Sequence, residues 1–574
     1  MSSRRSKLEL TWIGKENRPR LEPRILLEDP ERSYHARQRA SDNDFFDNRL
    51  IFGDNLLALK ALEQKFAGNV KCIYIDPPFN TQQAFQHYSD GVEHSVWLQL
   101  MRDRIDILHR LLSQDGSLFI HIDDNELGYL IPLIDEIFDR KNRISVITFK
   151  QSAASGPKSV NPGLVSTSNF ILYYAKSRAL WKPNRVYMSI PRDARYNNFI
   201  LNFERPYREW RIGTLKSAFA EHYGLNGRDL ESEFGSRLER KLTEFVLTNR
   251  FRVVQPALVR PEDVNAEARA ALRESEVNGG IVTKSRTDER YFLNGKQLLF
   301  YASKTQVIDG QLSTAGLATS IWDDLFSNNL HKEGGVSFPN GKKPEALIKR
   351  ILELSTAVGD LVLDSFAGSG TTGAVAHKMG RRWIMVELGE HIHTHIIPRL
   401  KKVIDGEDPG GITKAVDWKG GGGFRYYKLA PSLLEKDKWG NWVINKEYNA
   451  AMLAEALCKL EGFKYDPSDS IYWQHGRSTE TDFIYVTTAN LSHDQLAQLS
   501  DEVGPDRTLL VLCTAFRAKR NQFPNLTIKK IPRAVLSRCE WGHDDYSLQV
   551  ENLPKAPPEL GQQALFSDDS EAKG

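Results

Sequence analysis

The chain has 574 residues, 40% of them hydrophobic and 26% charged, which is too long for one ordinary core and apolar enough for several. It contains no run of about 18 apolar residues, and the opening MSSRRSKLELTW has no apolar stretch after its basic residues, so neither a membrane span nor a signal peptide is expected. Four scattered cysteines (Cys72, Cys458, Cys513, Cys539) lack metal-ligand spacing, which points to reduced thiols in a cytoplasmic protein and to no metal site.

Residues 1–48 are polar, are interrupted by Pro19, Pro23 and Pro30, and are expected to form an arm. From Arg49 the pattern alternates. VKCIYID (70–76) reads as a buried strand, Val96–Leu112 as an amphipathic helix, SLFIHID (117–123) as a strand and Glu126–Phe138 as a helix. RISVITF (143–149) and NFILYYA (169–175) follow as strands. Helices of this length between strands predict a parallel sheet covered on both faces. Residues 141–190 carry eight Lys/Arg and no acid, a stretch able to face phosphates or to form a solvated basic surface.

Between about 186 and 320 the rhythm is lost, and Arg-rich pieces such as FERPYREWRIG (203–213) and TKSRTDERYF (283–292) appear. Alternation resumes with a helix over Pro344–Leu354, the strand DLVLD (360–364), a glycine turn and a helix to Met379. The strand RWIMVE (382–387) and a helix toward Val403 complete this half. Six glycines in GGITKAVDWKGGGGF (410–424) are expected to mark a boundary. Beyond it, Lys446–Leu460, DFIYVTT (482–488), HDQLAQLS (493–500) and RTLLVLC (507–513) suggest a small separate α/β domain. From Pro431 onward there are 16 basic and 21 acidic residues, which disfavours direct DNA contact there. The final stretch, ENLPKAPPELGQQALFSDDSEAKG, reads as a disordered tail.

Two motifs carry chemistry. In DLVLDSFAGSGTTGAVAHKMGRRWIMVE (360–387) a strand runs into the turn Phe366-Ala367-Gly368-Ser369-Gly370, then a helix, then a strand ending in Glu387. Glycines allow close backbone approach, the helix start offers free N–H donors, and Glu387 is placed to accept ribose hydroxyls. There is no Gly-x4-Gly-Lys-Ser/Thr phosphate loop, and Thr372 stands where a dinucleotide turn has its third glycine. In the second motif the strand 70–76 ends in Asp76-Pro77-Pro78-Phe79. The prolines fix the chain and present carbonyls at a strand's C-terminal end, where open parallel sheets bind ligands. An aryl amine is a poor nucleophile because its lone pair is delocalised. Hydrogen bonds from its two N–H groups to the Asp76 carboxylate and the Pro77 carbonyl localise that pair. Phe79 supplies a stacking face for a flipped base. No Pro-Cys dipeptide occurs, which argues against the cysteine route to cytosine C5.

DPPF at 76–79 followed by DSFAGSGTT at 364–372 resembles the amino-methylating DNA methyltransferases, in the motif order of their beta group. LIFGDNLLALKAL (50–62), IYIDPPFNT (73–81), SLFIHIDDNE (117–126), NGKKPEALIKRIL (340–352) and GGGGFRYYKL (420–429) extend the likeness to the modification subunits of type III restriction–modification systems. The opening LTWIGKENR (10–18) fits as well, so the resemblance covers about residues 10–430.

The resemblance implies an α/β, Rossmann-like S-adenosylmethionine-dependent methyltransferase sheet with an inserted target-recognition region and a small C-terminal α/β domain. The expected divisions are an arm (1–48), a catalytic half (49–185), a target-recognition region (186–320), a cofactor half (321–428) and a C-terminal protein-interaction domain with its tail (429–574). It implies that Asp364, Phe366, Gly368, Gly370, Thr371 and Glu387 hold the cofactor. Asp54 would meet its adenine end, and Phe338, Lys343 and Pro344 would close around its methionine part. Phe79 departs from the family's usual Tyr only by a hydroxyl. The implied activity is methyl transfer to adenine N6 in double-stranded DNA, by a homodimer able to dock a helicase–nuclease restriction subunit. Alternatives are an N4-cytosine or RNA amino-methyltransferase, or a DNA-reading subunit without catalysis.

Overall fold

The computed structural model describes residues 9–39, 44–79, 94–152, 164–284, 290–325, 330–336, 338, 341–519, 522–533, 535–542, 544 and 546. The expected tail, Lys158 of the basic stretch and part of 283–292 lie outside them. Two compact units form: one from 1–184 with 320–574, the other from 185–319.

The first unit is built on one large sheet. In chain order its elements are β1 (Leu26–His35), β2 (Asn48–Phe52), α1 (Asn55–Phe66), β3 (Val70–Ile75), α2 (His94–Leu111) and β4 (Leu112–Ile122). They continue with α3 (Asp124–Phe138), β5 (Arg143–Lys150), β6 (Ser168–Ala175), β7 (Ile321–Trp322), α4 (Glu345–Ser355) and β8 (Leu361–Asp364). The last are α5 (Thr371–Lys378), β9 (Arg382–Glu387), α6 (Ile397–Ile404) and β10 (Gly423–Leu429). The strand order is β1-β10-β2-β9-β8-β3-β4-β6-β5-β7. The central strands read as near-continuous apolar runs because both faces are covered. In β3 five of six residues are buried, and β8 is buried throughout. In α2, Trp97, Leu98, Met101, Ile105 and Leu108 recur at helical spacing and face the core.

Connections β3-α2-β4 and β8-α5-β9 step in opposite directions across the sheet. With right-handed crossovers this places α2 and α5 on opposite faces.

Three expectations are corrected. The sheet is mixed rather than parallel, since β6 pairs antiparallel with both β4 and β5. The N-terminal arm is not merely an arm. Leu26–His35 is the edge strand paired with β10, and Pro30 sits in its irregular step between Asp29 and Tyr34, where a missing N–H is tolerated. Nor is the glycine-rich stretch a free joint. It folds back so that β10 inserts between β1 and β2, and at Gly422 (φ +72°) a Cβ would meet His377 at 2.8 Å.

Residues beyond β10 form a five-stranded sheet with the helices Ala450–Glu461 and His493–Val503. The arm reaches into this part. Ile25 joins its core beside Leu453, Leu457 and Ile484, and the buried Arg24 donates to the Ala430 carbonyl at 2.7 Å.

The second unit holds a six-stranded and a three-stranded antiparallel sheet with the helices Leu215–His222, Leu238–Thr248 and Ala266–Asn278. Its core gathers Tyr196, Phe199, Phe219, Phe245 and Tyr301. Among the described residues no helix is long and apolar enough to cross a membrane.

Candidate active site

Register decides what meets at the sheet's rim. β3, β8 and β9 are parallel neighbours, with Val362 opposite Cys72 and Asp364 opposite Met385. Their carboxyl ends therefore coincide and bring Asp76, Asp364 and Glu387 to one edge. The chain leaves β3 toward β4 and leaves β8 toward β9, so this edge is the topological switch point of the sheet, the ordinary ligand crevice of open α/β folds.

The tetrapeptide after β3 is held from below. Trp97 on α2 donates its indole N–H to the Pro78 carbonyl at 2.9 Å. Phe79 lies parallel to the His121 ring, 18° from coplanar with centroids 5.9 Å apart. His121 ends β4 and is fully buried. Its Nδ1 faces the Tyr74 hydroxyl and its Nε2 the Asn169 amide, both at 3.1 Å. Burial, and then the nearby Lys343 ammonium, hold this imidazole well below its usual pKa, so it is a neutral shelf for the phenyl ring. Asp76 Oδ2 accepts from Lys343 Nζ at 2.5 Å. Its other oxygen, Oδ1, is buried and accepts no hydrogen bond among the described residues. Burial raises the Asp76 carboxyl and Lys343 opposes the shift. A buried acceptor left open is costly, so it is the natural place for a donor from a ligand.

On β8 the Asp364 carboxylate shapes the glycine turn, accepting the Phe366 N–H at 2.9 Å and the Thr372 hydroxyl at 2.6 Å. Burial lifts its carboxyl to about 7, against those two donors and with the help of Asp76 and Glu387. Glu387 accepts the Gly368 N–H at 2.7 Å and the Gly389 N–H at 2.9 Å, clamping the turn to the next loop. The two glycines differ in what surrounds them. At Gly368 (φ +53°) a Cβ would meet only the Phe366 carbonyl at 3.9 Å, so the front of the turn is open. At Gly370 (φ +75°) a Cβ would meet Ile396 at 2.9 Å, so this glycine serves packing. The Ser365 hydroxyl beside the turn is buried and has no partner among the described residues. An open glycine front, an unpaired hydroxyl and acids on adjacent strands suit a ligand carrying hydroxyls and positive charge. Gly368→Ala should therefore meet no close clash among the described residues, cost about 1–2 kcal/mol for its left-handed backbone and weaken cofactor binding markedly, whereas Gly370→Val, which adds the clash with Ile396, should lower the melting temperature further. Calorimetry beside thermal unfolding separates the two effects.

The other expected residues are placed as follows. Asp54 caps α1, accepting the Leu57 N–H at 3.0 Å, and also takes the Tyr546 N–H at 3.1 Å and Arg104 at 3.4 Å. Thr371 starts α5 and accepts from Arg399 at 2.7 Å, so its hydroxyl faces the interior. Phe338 lies beside the rings of His391 and His395, at 5.4 and 5.5 Å. Pro344 is the N-cap of α4.

Sequence reasoning missed the supports: Trp97, His121 and Asn169 under the tetrapeptide, and Asn55 and Arg399 under the turn. Asn55 donates to the Ser365 carbonyl at 2.8 Å, and Arg399 donates to the Ser369 carbonyl at 3.1 Å. Only Asn55, inside the GDN turn, carried a local signal.

A profile of the DNA methylase family N6_N4_Mtase matches residues 70–398. The probable type III restriction-modification enzyme HindVI Mod subunit of Haemophilus influenzae is 35% identical over 457 residues, covering 75% of this chain and 60% of its own length. The type III restriction-modification enzyme EcoPI Mod subunit of Escherichia phage P1 is 28% identical over 418 residues, with 64% and 60% covered. The crystal structure of the M1.HpyAVI–SAM complex aligns with 61% of this chain and 98% of its own, at 14% identity and a TM-score of 0.30. The chain spans about 60% of the length of these two curated relatives.

Proposed function

The chain belongs to the DNA methylase family, and from that premise we propose that it transfers a methyl group from S-adenosylmethionine to N6 of adenine in double-stranded DNA. The observation that carries this is Asp76 Oδ1, buried at the switch point without a hydrogen-bond partner among the described residues, just past the strand that pairs with the glycine turn's strand. When bound, the cofactor supplies an electrophilic sulfonium methyl. Gly368, Glu387 and Phe338 would hold it, and the acids on β3, β8 and β9 favour its positive charge. The chain's own part is placement. Asp76 Oδ1 accepts one amine N–H, the Pro77 carbonyl the other, and Phe79, seated on His121, stacks the flipped base. With the amine so placed, transfer would need no covalent enzyme intermediate. A DPP rather than SPP tetrapeptide favours adenine over cytosine N4.

Arg185–Thr319 is proposed to read the target sequence. It exposes arginines around an aromatic cluster in which Trp210 lies 5.2 Å from Phe203 and 4.9 Å from Tyr291. Swapping this unit with its counterpart from a relative should change the methylated motif and keep the chemistry. An active chimera that still methylates the original motif would overturn the assignment.

By likeness to Mod subunits, the working form is proposed to be a homodimer in the cytoplasm that docks a helicase–nuclease restriction subunit. Labelled-methyl transfer to DNA, followed by base-resolved sequencing of DNA from an expressing host, tests the activity. Absence of methylated adenine in an active preparation would sink the N6 reading, and methylated cytosine would replace it.

A further inference from the structure

The Lys343 ammonium stands beside the place proposed for the target amine. It donates to Asp76 Oδ2 at 2.5 Å, next to the Oδ1 left for the amine, and sits 5.2 Å from the centroid of the Phe79 ring, so one cation engages both the Asp76 carboxylate and the stacking surface proposed for the base. Its side chain is only 9% exposed, so the position is occupied rather than brushed by a surface lysine. The backbone of the same residue belongs to the cofactor side. The Thr371 hydroxyl, at the start of α5, donates to the Lys343 carbonyl at 3.4 Å, and Pro344 begins α4 directly after it. Neighbouring Lys342 points elsewhere. Its ammonium donates to the carbonyls of Leu330 and Val336, at 3.0 Å each, and of Glu333, so it cannot substitute for Lys343 at Asp76.

We propose that Lys343 is a placeholder for the target base. In the protein without ligands it holds Asp76 Oδ2 beside the Phe79 ring and crowds the base's place, and it is drawn away when the carboxylate at the amino-acid end of the cofactor offers it another anion. Cofactor binding and opening of the base site are thereby one event. The inference rests on the proposed function for the identity of the cofactor. Its physical content is a competition of two carboxylates for one ammonium, each able to accept the charge-assisted hydrogen bond that a buried lysine must donate. A base entering first would meet the cation still held by Asp76. A base entering second finds the whole Asp76 carboxylate free. Lys343 is a positioning residue in this account, since it leaves before the reacting atoms meet.

The competition is read by calorimetry on the full chain, with no DNA present. Two probes are used: S-adenosylhomocysteine, which has the carboxylate, and 5′-methylthioadenosine, which has the same nucleoside and sulfur without it. Asp76→Asn removes the competing anion with little change of shape. It should tighten S-adenosylhomocysteine about three- to tenfold, the span of one ion pair, and leave 5′-methylthioadenosine unchanged. In a Lys343→Met background the gain from Asp76→Asn should vanish. Equal effects on both probes, no gain with S-adenosylhomocysteine, or the same gain in the Lys343→Met background each overturn the proposal. Should Lys343→Met fail to fold, Lys343→Gln replaces it, and the two probes on Asp76→Asn alone still decide. If the wild-type protein binds neither probe and transfers no methyl group, the proposed function itself has failed. If it binds and methylates but the cycle is additive, only the placeholder has.

Discussion

Asp76→Ala is expected to lower methyl transfer by at least about a hundredfold to a thousandfold, the loss seen when one preorganised acceptor is removed from a reacting centre. Cofactor affinity should not fall with it. The turn at Gly368 and the clamp from Glu387 are anchored on β8 and β9, and none of their hydrogen bonds passes through Asp76. Lys343, only 9% exposed, loses its anion in this variant, so thermal unfolding is recorded beside transfer, with Asp76→Asn, which keeps an acceptor for the ammonium, as the fold control. Single-turnover transfer beside calorimetry of S-adenosylhomocysteine checks both halves. Transfer within about tenfold of wild type would remove Asp76 from the chemistry. Phe79→Ala should be milder, because base stacking on an aromatic ring is worth about 1–3 kcal/mol. Phe79→Tyr should be nearly silent.

How much of this was legible in the sequence depends on the range of the interactions. The alternation of VKCIYID, the amphipathic α2 and DLVLD is a local property, and these elements fall where their periodicity puts them. That the ends of β3, β8 and β9 share one rim was likewise readable, because parallel strands end together. The antiparallel β6 was not, since NFILYYA is apolar in either direction. The edge strand Leu26–His35 was hidden by its polar composition, which suits a strand with one solvent edge but resembles a loop. The supports of the site were hidden for a different reason. Trp97 reaches Pro78 across 19 positions, Asn169 reaches His121 across 48, and Arg399 reaches the turn across 30. Nothing local to Trp97 or His121 distinguishes a side chain packed in a core from one steadying a reactive loop.

Glu345→Ala is expected to be the most destabilising single change in the cofactor half, by about 3–5 kcal/mol, because it leaves buried cations uncompensated. Glu345, Lys378, Asp408 and Arg399 form a network sealed from solvent. Glu345 Oε1 meets Arg399 and Oε2 meets Lys378, both at 2.8 Å, and Lys378 meets Asp408 at 2.7 Å. Glu345 Oε2 also accepts the Ile412 N–H at 3.1 Å, so one carboxylate joins α4, α5, α6 and the glycine-rich return. Among the described residues Lys378 keeps Asp408 after the change, whereas Arg399 keeps the neutral Ser369 carbonyl and Thr371 hydroxyl and carries most of the penalty. The same helix provides a control. The pair Lys349–Glu353 at 2.6 Å is more accessible, with the Glu353 side chain 37% exposed, and Glu353→Ala should cost about 1 kcal/mol or less. Burial by itself would raise the Glu345 carboxyl, but Arg399 and Lys378 together outweigh it and hold it below its ordinary value. A depressed folded-state pKa means that this stabilisation is complete above the ordinary glutamate range and is lost as the pH falls through the depressed value. Acid should therefore weaken the wild-type protein more steeply than Glu345→Gln, which has no charge there to lose. Denaturant unfolding of both at neutral and acid pH checks this. A Glu345→Ala protein as stable as Glu353→Ala, or parallel pH profiles for wild type and Glu345→Gln, would show that the network does not anchor the turn.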